Sequence, residues 1–434
     1  MKKNILLIFL SLVITQNWAP FHIEELHRFS EVNLDYEKAD RVAKNLTNIN
    51  SNRTSLSHEI IGYLPYWEYD EYPDLNYNLL TQINFFSAEL NQYGDIVNDH
   101  DWENLYLIEF AQSQGVKVKL CASLFGQEPL STLLSNYFYR QNAINNLLNL
   151  VLNAGADGVD IDFELLPTNQ RDNLVLFMEE LSFIFHEYME DPIITMATPA
   201  IDWSNAWDYA ALAEITDGLF IMGYNYFYSG SETAGPVSPL GGDFYDLEYS
   251  VNDYISKTNG QNDKIILGLP YYGYNWSVED NSMNSETIAY GVPKTYAQAK
   301  ALSENYDSFW NGESNSIWIS YFDDTWTWNQ CWYDDSLSLS NKYEFAKNNN
   351  LQGIGIWALG YDDDNLELWE SLEINFANFL LGDINFDNQI NIQDVIFLVN
   401  IILQNIPNQA EADLNQDNLS DILDILILIN LIMD

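Results

Sequence analysis

A chain of 434 residues, 47% hydrophobic and 19% charged, has room for one large globular domain and a small module. Its 17 Lys+Arg against 64 Asp+Glu give a formal net charge of −47. That excludes a nucleic-acid partner, since neutralising phosphates takes basic residues, and it argues against docking on an anionic membrane. A soluble extracellular protein with a neutral substrate or a cationic partner such as calcium fits such acidity, and a 15% aromatic content can furnish faces on which sugar rings stack.

The N-terminus, MKKNILLIFLSLVITQNWA, has two lysines, an apolar run and then polar residues. It reads as a secretory signal over residues 1–19, too short to span a bilayer, with Ala19 the candidate cleavage residue and Pro20 directly behind it. An uncleaved anchor is the alternative; no other membrane segment is expected, and the localisation expected is secreted or cell-surface. Residues 20–57 are polar and end in an Asn/Ser/Thr-rich stretch, read as an N-terminal segment outside the main domain.

From residue 58 short apolar runs alternate with amphipathic segments. The runs are EIIGYLPYW (59–67), LLTQINFFS (79–87), VKVKLCASLFG (116–126), GADGVDIDFE (155–164), PIITMATPA (192–200), DGLFIMGYNYF (217–227), KIILGLPYYG (264–273) and GIGIWALG (353–360). Between them lie helix-like segments such as WENLYLIEFAQSQ (102–114) and TNQRDNLVLFMEELSFIFHEYME (168–190). Eight strands alternating with helices predict an α/β fold, a (β/α)8 TIM barrel over residues 58–378. The gap from 274 to 352 exceeds one helix and predicts an insertion between strands 7 and 8 on the catalytic side, rich in tryptophan (Trp310, Trp318, Trp326, Trp328, Trp332). A secreted protein allows Cys121 and Cys331 to pair, but Cys121 sits in an apolar run and reads as a small buried hydrophobe.

The stretch DGVDIDFE (157–164) carries the chemistry. Strict alternation reads as a strand with Asp160, Asp162 and Glu164 on one face and Val159, Ile161 and Phe163 on the other. In a barrel the acids would climb the inner face, with Glu164 at the C-terminal mouth. Buried like charges resist ionising together, so one or more should hold a proton near neutral pH, and a protonated Glu at a cleft floor is a general acid. Metal ligation or a solvated rim is the bland alternative; no histidine lies nearby, and the Ile and Phe spacers oppose a rim.

These residues resemble glycoside hydrolase family 18, the chitinase family, whose signature D-x-x-D-x-D-x-E is met by Asp157, Asp160, Asp162 and Glu164. GYLPYW, MGYNYF, GLPYYG and GIGIWALG resemble the family's first, sixth, seventh and eighth strands, so the resemblance covers about residues 58–375. It implies hydrolysis assisted by the substrate's own N-acetyl group, without an enzyme nucleophile or cofactor. Glu164 would be the acid/base, Asp162 would orient the acetamide and Asp160 would share its proton and charge. Tyr224 would bond the acetamide oxygen and Trp357 would form the floor, with Met222 in the same strand motif and Tyr63 packed near the aspartates. The family's acid after the tyrosine is here Asn225, which keeps hydrogen bonding and loses a charge, a change bearing on substrate subclass and pH profile. In the third strand Cys121 and Ser123 both have the parity of the serine many members place beneath the aspartates.

The tail, residues 380–434, is a different object. DINFDNQINIQD (383–394) and DLNQDNLSDILD (413–424) recur thirty residues apart, each followed by an apolar helix. Asp383, Asn385, Asp387, Asn391 and Asp394, and likewise Asp413, Asn415, Asp417, Asp421 and Asp424, have the oxygen spacing of an EF-hand-like calcium loop. Asn388 and Asn418 stand where such loops favour Gly. The pair resembles a dockerin, a small α-helical calcium-binding module, and so implies a cohesin-like partner, although Ile392, Gln393, Ile422 and Leu423 depart from the polar readers of many cohesins.

The expected function is a secreted, monomeric glycosidase cleaving β-1,4 links at N-acetylglucosamine in chitin or its oligomers. An endo-β-N-acetylglucosaminidase or peptidoglycan hydrolase of the same fold is the alternative among enzymes. A chitin-binding lectin is the alternative outside them, opposed by the presence of Glu164, and a scaffold component is opposed by the intact motif.

Overall fold

The computed structural model describes residues 21–32, 34–46, 54–378, 382–385, 389–404, 412–415, 417 and 419–433. The signal 1–19, Asp387, Asn388 and Asn418 lie outside these described residues.

Two helices precede the barrel: α1 (Phe21–Phe29) and α2 (Tyr36–Asn45). Asp35 caps α2 by accepting from Lys38 N. The eight runs then form parallel strands. The first two are β1 (Glu59–Pro65) and β2 (Gln82–Leu90), with β3 (Ile96–Asn98) folding back antiparallel on the end of β2. The others are β4 (Lys117–Phe125), β5 (Gly158–Glu164), β6 (Ile193–Pro199), β7 (Gly218–Met222) and β8 (Ile265–Pro270), and the last barrel strand follows the insertion. Between β8 and that strand lie β9 (Tyr272–Val278), β10 (Val292–Thr295), β11 (Ser308–Asn311), β12 (Ser316–Phe322) and β13 (Trp328–Tyr333), after which β14 (Gly353–Trp357) completes the barrel. β14 pairs with both β8 and β1, and β1 pairs with β2, so the sheet closes on itself.

Helices α3 (Leu107–Ser113), α4 (Gln127–Ser135), α5 (Tyr137–Ala154), α6 (Arg171–Tyr188), α7 (Tyr209–Ile215) and α8 (Leu247–Lys257) lie between strands. Their ends follow local rules: Asn136 caps α5, and Gly155 ends it in the left-handed region at φ 69°. Helices α9 (Tyr296–Ser303), α10 (Ser336–Asn348) and α11 (Glu367–Phe376) finish the barrel domain.

The barrel interior is packed, not hollow. Phe220 of β7 fills its middle, and an added Cβ at Gly268 or Gly355 would fall 2.2 Å or 1.8 Å from that ring. Glycine at these two strand positions is what admits the ring, which meets Tyr63 edge-on at 4.9 Å.

The insertion is a five-stranded antiparallel sheet in the order β10-β9-β13-β12-β11. Trp318 and Trp332 stack at 5.3 Å inside it, while Trp310 and Trp326 are exposed. The insertion therefore spends its tryptophans on its own packing and surface, and its tyrosines Tyr272 and Tyr274 face the barrel mouth. Cys121 and Cys331 are both free, buried thiols.

The C-terminal module has α12 (Ile392–Gln404) and α13 (Ile422–Met433). Ile384, Leu398, Leu414 and Leu428 are buried in one small core, two pairs of equivalent positions in the thirty-residue repeat. No helix among the described residues is long and apolar enough to cross a membrane.

Candidate active site

Register builds the site. β4 pairs with β5 so that Cys121 stands opposite Asp160 and Ser123 opposite Asp162, and Asp160 stands opposite Thr195 of β6. All these side chains share inward parity. Asp160 and Asp162 are fully buried, while Glu164, at the strand's end, keeps 11% exposure.

Asp160 is enclosed by donors. Tyr63 OH donates to its Oδ2 at 2.6 Å and Thr195 Oγ1 donates to its Oδ1 at 2.5 Å. Behind Thr195 stands Lys119, also buried, whose Nζ donates to Thr195 Oγ1 at 2.6 Å. Burial pulls the Lys119 pKa down to about 8, with Asp160 the first of the acids opposing it. Cys121 takes the place beside Asp160, its thiol pushed up by burial first and by Asp160 next. Ser123 bonds Ser87 at 2.9 Å instead. Sequence reasoning passed over Thr195 and Lys119. Strand parity was the available signal, because both fall on inward positions of alternating runs.

The largest departure from the sequence reading is a histidine. None lies near the acidic strand in sequence, yet His22 of α1 sits on it in the fold. Its Nδ1 bonds Asp162 Oδ2 at 3.0 Å and stands 2.9 Å from Glu164 Oε1, an ion-pair distance without hydrogen-bond alignment. Its ring lies on Trp357 at 3.9 Å between centroids, tilted by 31°, and its Nε2 is 3.3 Å from Tyr224 OH. Burial opposes charge on His22, but Asp162 and Glu164 outweigh it and push its pKa up to about 10. Burial first and Glu164 next push Asp162 up to about 7, against the pull of His22. The proton held most firmly in this cluster at neutral pH is therefore on His22. α1, part of the 20–57 stretch read as a segment outside the main domain, reaches into the centre of the site.

The other expected residues gather at the same mouth. A cleft of about 720 Å³ is lined by Glu164, Met222, Tyr224 and Asn225, with Trp203 and Tyr245 on its outer wall. Trp357 is fully buried beneath His22. Asn225 takes a left-handed φ of 61° and accepts from Tyr272 OH at 2.7 Å. Asp157 stands apart from the other signature acids, pairing with Lys117 Nζ at 2.8 Å and accepting from Val118 N at 2.9 Å, so it ties strand to strand.

In the C-terminal module both repeats end on a fully buried aspartate. Asp394 Oδ1 accepts from Ile384 N (2.9 Å) and Asn385 N (3.2 Å), and its Oδ2 from Asn391 N (2.8 Å). Asp424 repeats this with Asn415 N (3.1 Å) and Asp421 N (2.8 Å). Asp413 and Asp417 meet through Asp417 N, which donates to Asp413 Oδ1 at 3.0 Å, and Asp383 is buried at the start of the first loop. Among the described residues, each repeat's terminal aspartate is thus bonded to backbone N–H groups of its own loop.

The family model for glycosyl hydrolases family 18 matches residues 59–362, and that for the dockerin type I domain matches residues 381–433. The inferred sporulation-specific glycosylase YdhD of Bacillus subtilis is 28% identical over 322 residues, covering 70% of this chain and 73% of that protein. Human di-N-acetylchitobiase is 26% identical over 302 residues, covering 62% and 75%. The GH18 chitinase of Cycas revoluta, solved with (GlcNAc)3, superposes with a TM-score of 0.67 at 19% identity over 73% of this chain and 99% of its own, a likeness of fold. The closed parallel barrel with its acidic fourth strand and the matched models together make this chain a glycosidase of glycosyl hydrolases family 18, followed by a dockerin type I domain.

Proposed function

We propose that this chain hydrolyses β-1,4 links at N-acetylglucosamine in chitin or its oligomers by substrate-assisted retaining catalysis. The observation that carries the reading is the ladder Asp160–Asp162–Glu164 on the inner face of β5, ending in the cleft that Glu164 shares with Tyr224. Glu164, the one acid of the three with solvent access, donates its proton to the glycosidic oxygen as that bond breaks. The acetamide oxygen of the same sugar closes on the anomeric carbon, giving a cyclic cation. Asp162 holds the acetamide N–H and Tyr224 its oxygen. Glu164, now a carboxylate, takes a proton from the water that opens the ring. Asp160, held in orientation by Tyr63 and Thr195, lies below Asp162 on the same inner face and positions it. Met222 and Asn225 line the sugar's path.

The test is product analysis on chitin oligomers beside peptidoglycan fragments, with and without Glu164→Gln. Cleavage of the first, with the β-anomer formed initially, supports the reading. Cleavage of peptidoglycan alone selects the cell-wall alternative, and oligomer binding with no turnover, in wild type and in His22→Ala alike, selects the lectin.

The domain reading that accompanies this is a signal over 1–19, a barrel over 58–378 and a calcium-loaded module over 380–434. The side chains at the loop positions, Asp and Asn, are hard oxygen donors that suit calcium, and in each repeat the last of them is a buried aspartate bonded to the start of its loop. Asp383, Asn385, Asp387, Asn391 and Asp394 would hold one ion and Asp413, Asn415, Asp417, Asp421 and Asp424 the other, neutralising mutual repulsion. The loaded module would join a secreted or cell-surface enzyme to a cohesin-like protein.

A further inference from the structure

We propose that the catalytic site is also the receptor for the chain's own N-terminal helix, with the His22 ring seated on Trp357 between Asp162 and Glu164, and that the enzyme is shut until α1 leaves. The part of this that concerns sugar rests on the reading above; the receptor part rests on geometry alone.

Four observations converge. First, His22 uses the groups the mechanism needs: Asp162 at 3.0 Å, Glu164 at 2.9 Å, Tyr224 at 3.3 Å and the face of Trp357. A sugar ring on Trp357 and the His22 ring cannot both be present. Second, the fit is chemical as well as steric. A flat ring bearing positive charge, between two carboxylates and over an aromatic face, shares shape and charge with the flattened cationic sugar formed during glycoside hydrolysis. Third, α1 is fastened on both sides of His22. Phe21 stacks on Tyr272 at 4.3 Å with ring planes 9° apart, and Phe29 stacks on Trp67 at 4.7 Å. Between them Glu25 accepts from Trp357 Nε1 at 2.9 Å and from Tyr361 OH at 2.5 Å. Fourth, α1 lies as a bar between two clefts. Phe21, His22 and Glu24 wall the cleft of about 720 Å³, and Ile23, Leu26 and His27 wall another of about 800 Å³ that reaches Ser123 and Phe125 of β4.

The bland alternative is a permanent structural helix. Against it stands what α1 buries: a histidine and a glutamate in its first five residues, with Phe21 its one buried apolar side chain and Leu26 and Phe29 only partly buried. A permanent core element would bury apolar groups, since buried charges recover little net stability beyond their desolvation. A nine-residue helix is also marginal by itself, so it persists where it docks. α2 stays fastened independently, its Asp40 accepting from Tyr69 OH at 2.8 Å and Tyr72 OH at 3.0 Å, so α1 can leave while the segment remains attached.

The experiment uses the full chain, with His22→Ala and, as a second variant, Phe21→Ala. Hydrogen–deuterium exchange reads residues 21–29, and carbodiimide-promoted amine labelling reads access to Glu164. We expect α1 to be protected in the wild type, and exchange and Glu164 labelling to rise about tenfold or more in both variants, the scale of losing one hydrogen bond to a charged group. N-acetylchitotetraose should bind the variants at least about tenfold more tightly and should speed α1 exchange in the wild type. Unprotected exchange of residues 21–29 in the wild type, or Glu164 labelling that neither variant changes, overturns the inference. If both readouts rise but no chitin oligomer binds any form, the sugar reading fails and the receptor inference stands.

Discussion

Tyr63 donates to Asp160 at 2.6 Å across 97 positions of sequence, joining the first barrel strand to the fourth. Its phenol and the Thr195 hydroxyl approach opposite oxygens of one buried carboxylate, so Asp160 is fixed in orientation and fully satisfied. Tyr63→Phe leaves Oδ2 without that donor, and the expected loss is about 1–3 kcal/mol of stability. Urea denaturation measures it. The kinetic signature of a positioning role is a fall in kcat with KM nearly unchanged; a change in KM alone would place Tyr63 against substrate instead.

Glu164→Gln keeps shape and removes the transferable proton. Turnover of chitin oligomers should fall by about 10²–10⁴-fold or beyond detection while calorimetric binding persists. Asp162→Asn should also be severely impaired, because the acetamide loses its polarising partner. Both are best measured with and without His22→Ala, which takes the ring off the two acids. Substantial turnover by Glu164→Gln would exclude its role as the acid.

The hold of α1 should weaken in alkali. His22 faces Asp162 and Glu164 from β5, Tyr224 beyond β7, and Glu25 of its own helix, which in turn faces Arg28, Glu68, Tyr272 and Tyr361. Docking raises the His22 pKa from 6.5 to about 10, so its contribution is fully present below 6.5 and is lost as pH rises through about 10. Glu25, pushed up to about 7 by burial, works in the same direction at lower pH. Exchange protection of residues 21–29, corrected for intrinsic rates, should persist through neutrality and vanish near pH 10. A flat profile would show that His22 is not the group that holds the helix.

Asn225→Asp restores a carboxylate to the cleft shared with Glu164. Aspartate tolerates the left-handed φ of 61° and can still accept from Tyr272, so stability should change little. A like charge nearby disfavours ionisation, so the alkaline limb of kcat/KM should move to higher pH. An unmoved limb with altered KM would assign Asn225 to sugar binding alone.

Calcium should stabilise the C-terminal module within the full chain. At a free concentration a hundredfold above Kd, one ion adds about 2.7 kcal/mol. Chelator should lower the thermal transition of this module and leave the barrel's transition in place. Asp394→Ala and Asp424→Ala should each remove one ion from a calorimetric titration, since each aspartate also ties the start of its own loop. A melting curve indifferent to calcium would retire the metal reading.

Local periodicity was enough to place the barrel. Alternation in GVDIDFE requires one face for the acids, and eight such runs separated by helical spacings leave a parallel barrel as the closing solution. The paired loops were legible for a related reason: a thirty-residue repeat of oxygen-bearing side chains is written within each segment. Sequence spacing could not choose between Cys121 and Ser123, because parity is shared and only the pairing register sets which one faces Asp160. Parity put Thr195 and Lys119 on inward positions, but only the fold set Thr195 against that carboxylate with Lys119 behind it, and stacked Trp318 on Trp332 inside the insertion. His22 was the furthest from view. Nothing within α1 encodes a partner 140 residues away; its pairing with Asp162 exists because barrel closure gathers β5, β7 and β14 around one point, where two carboxylates outweigh the cost of burial and favour an imidazolium.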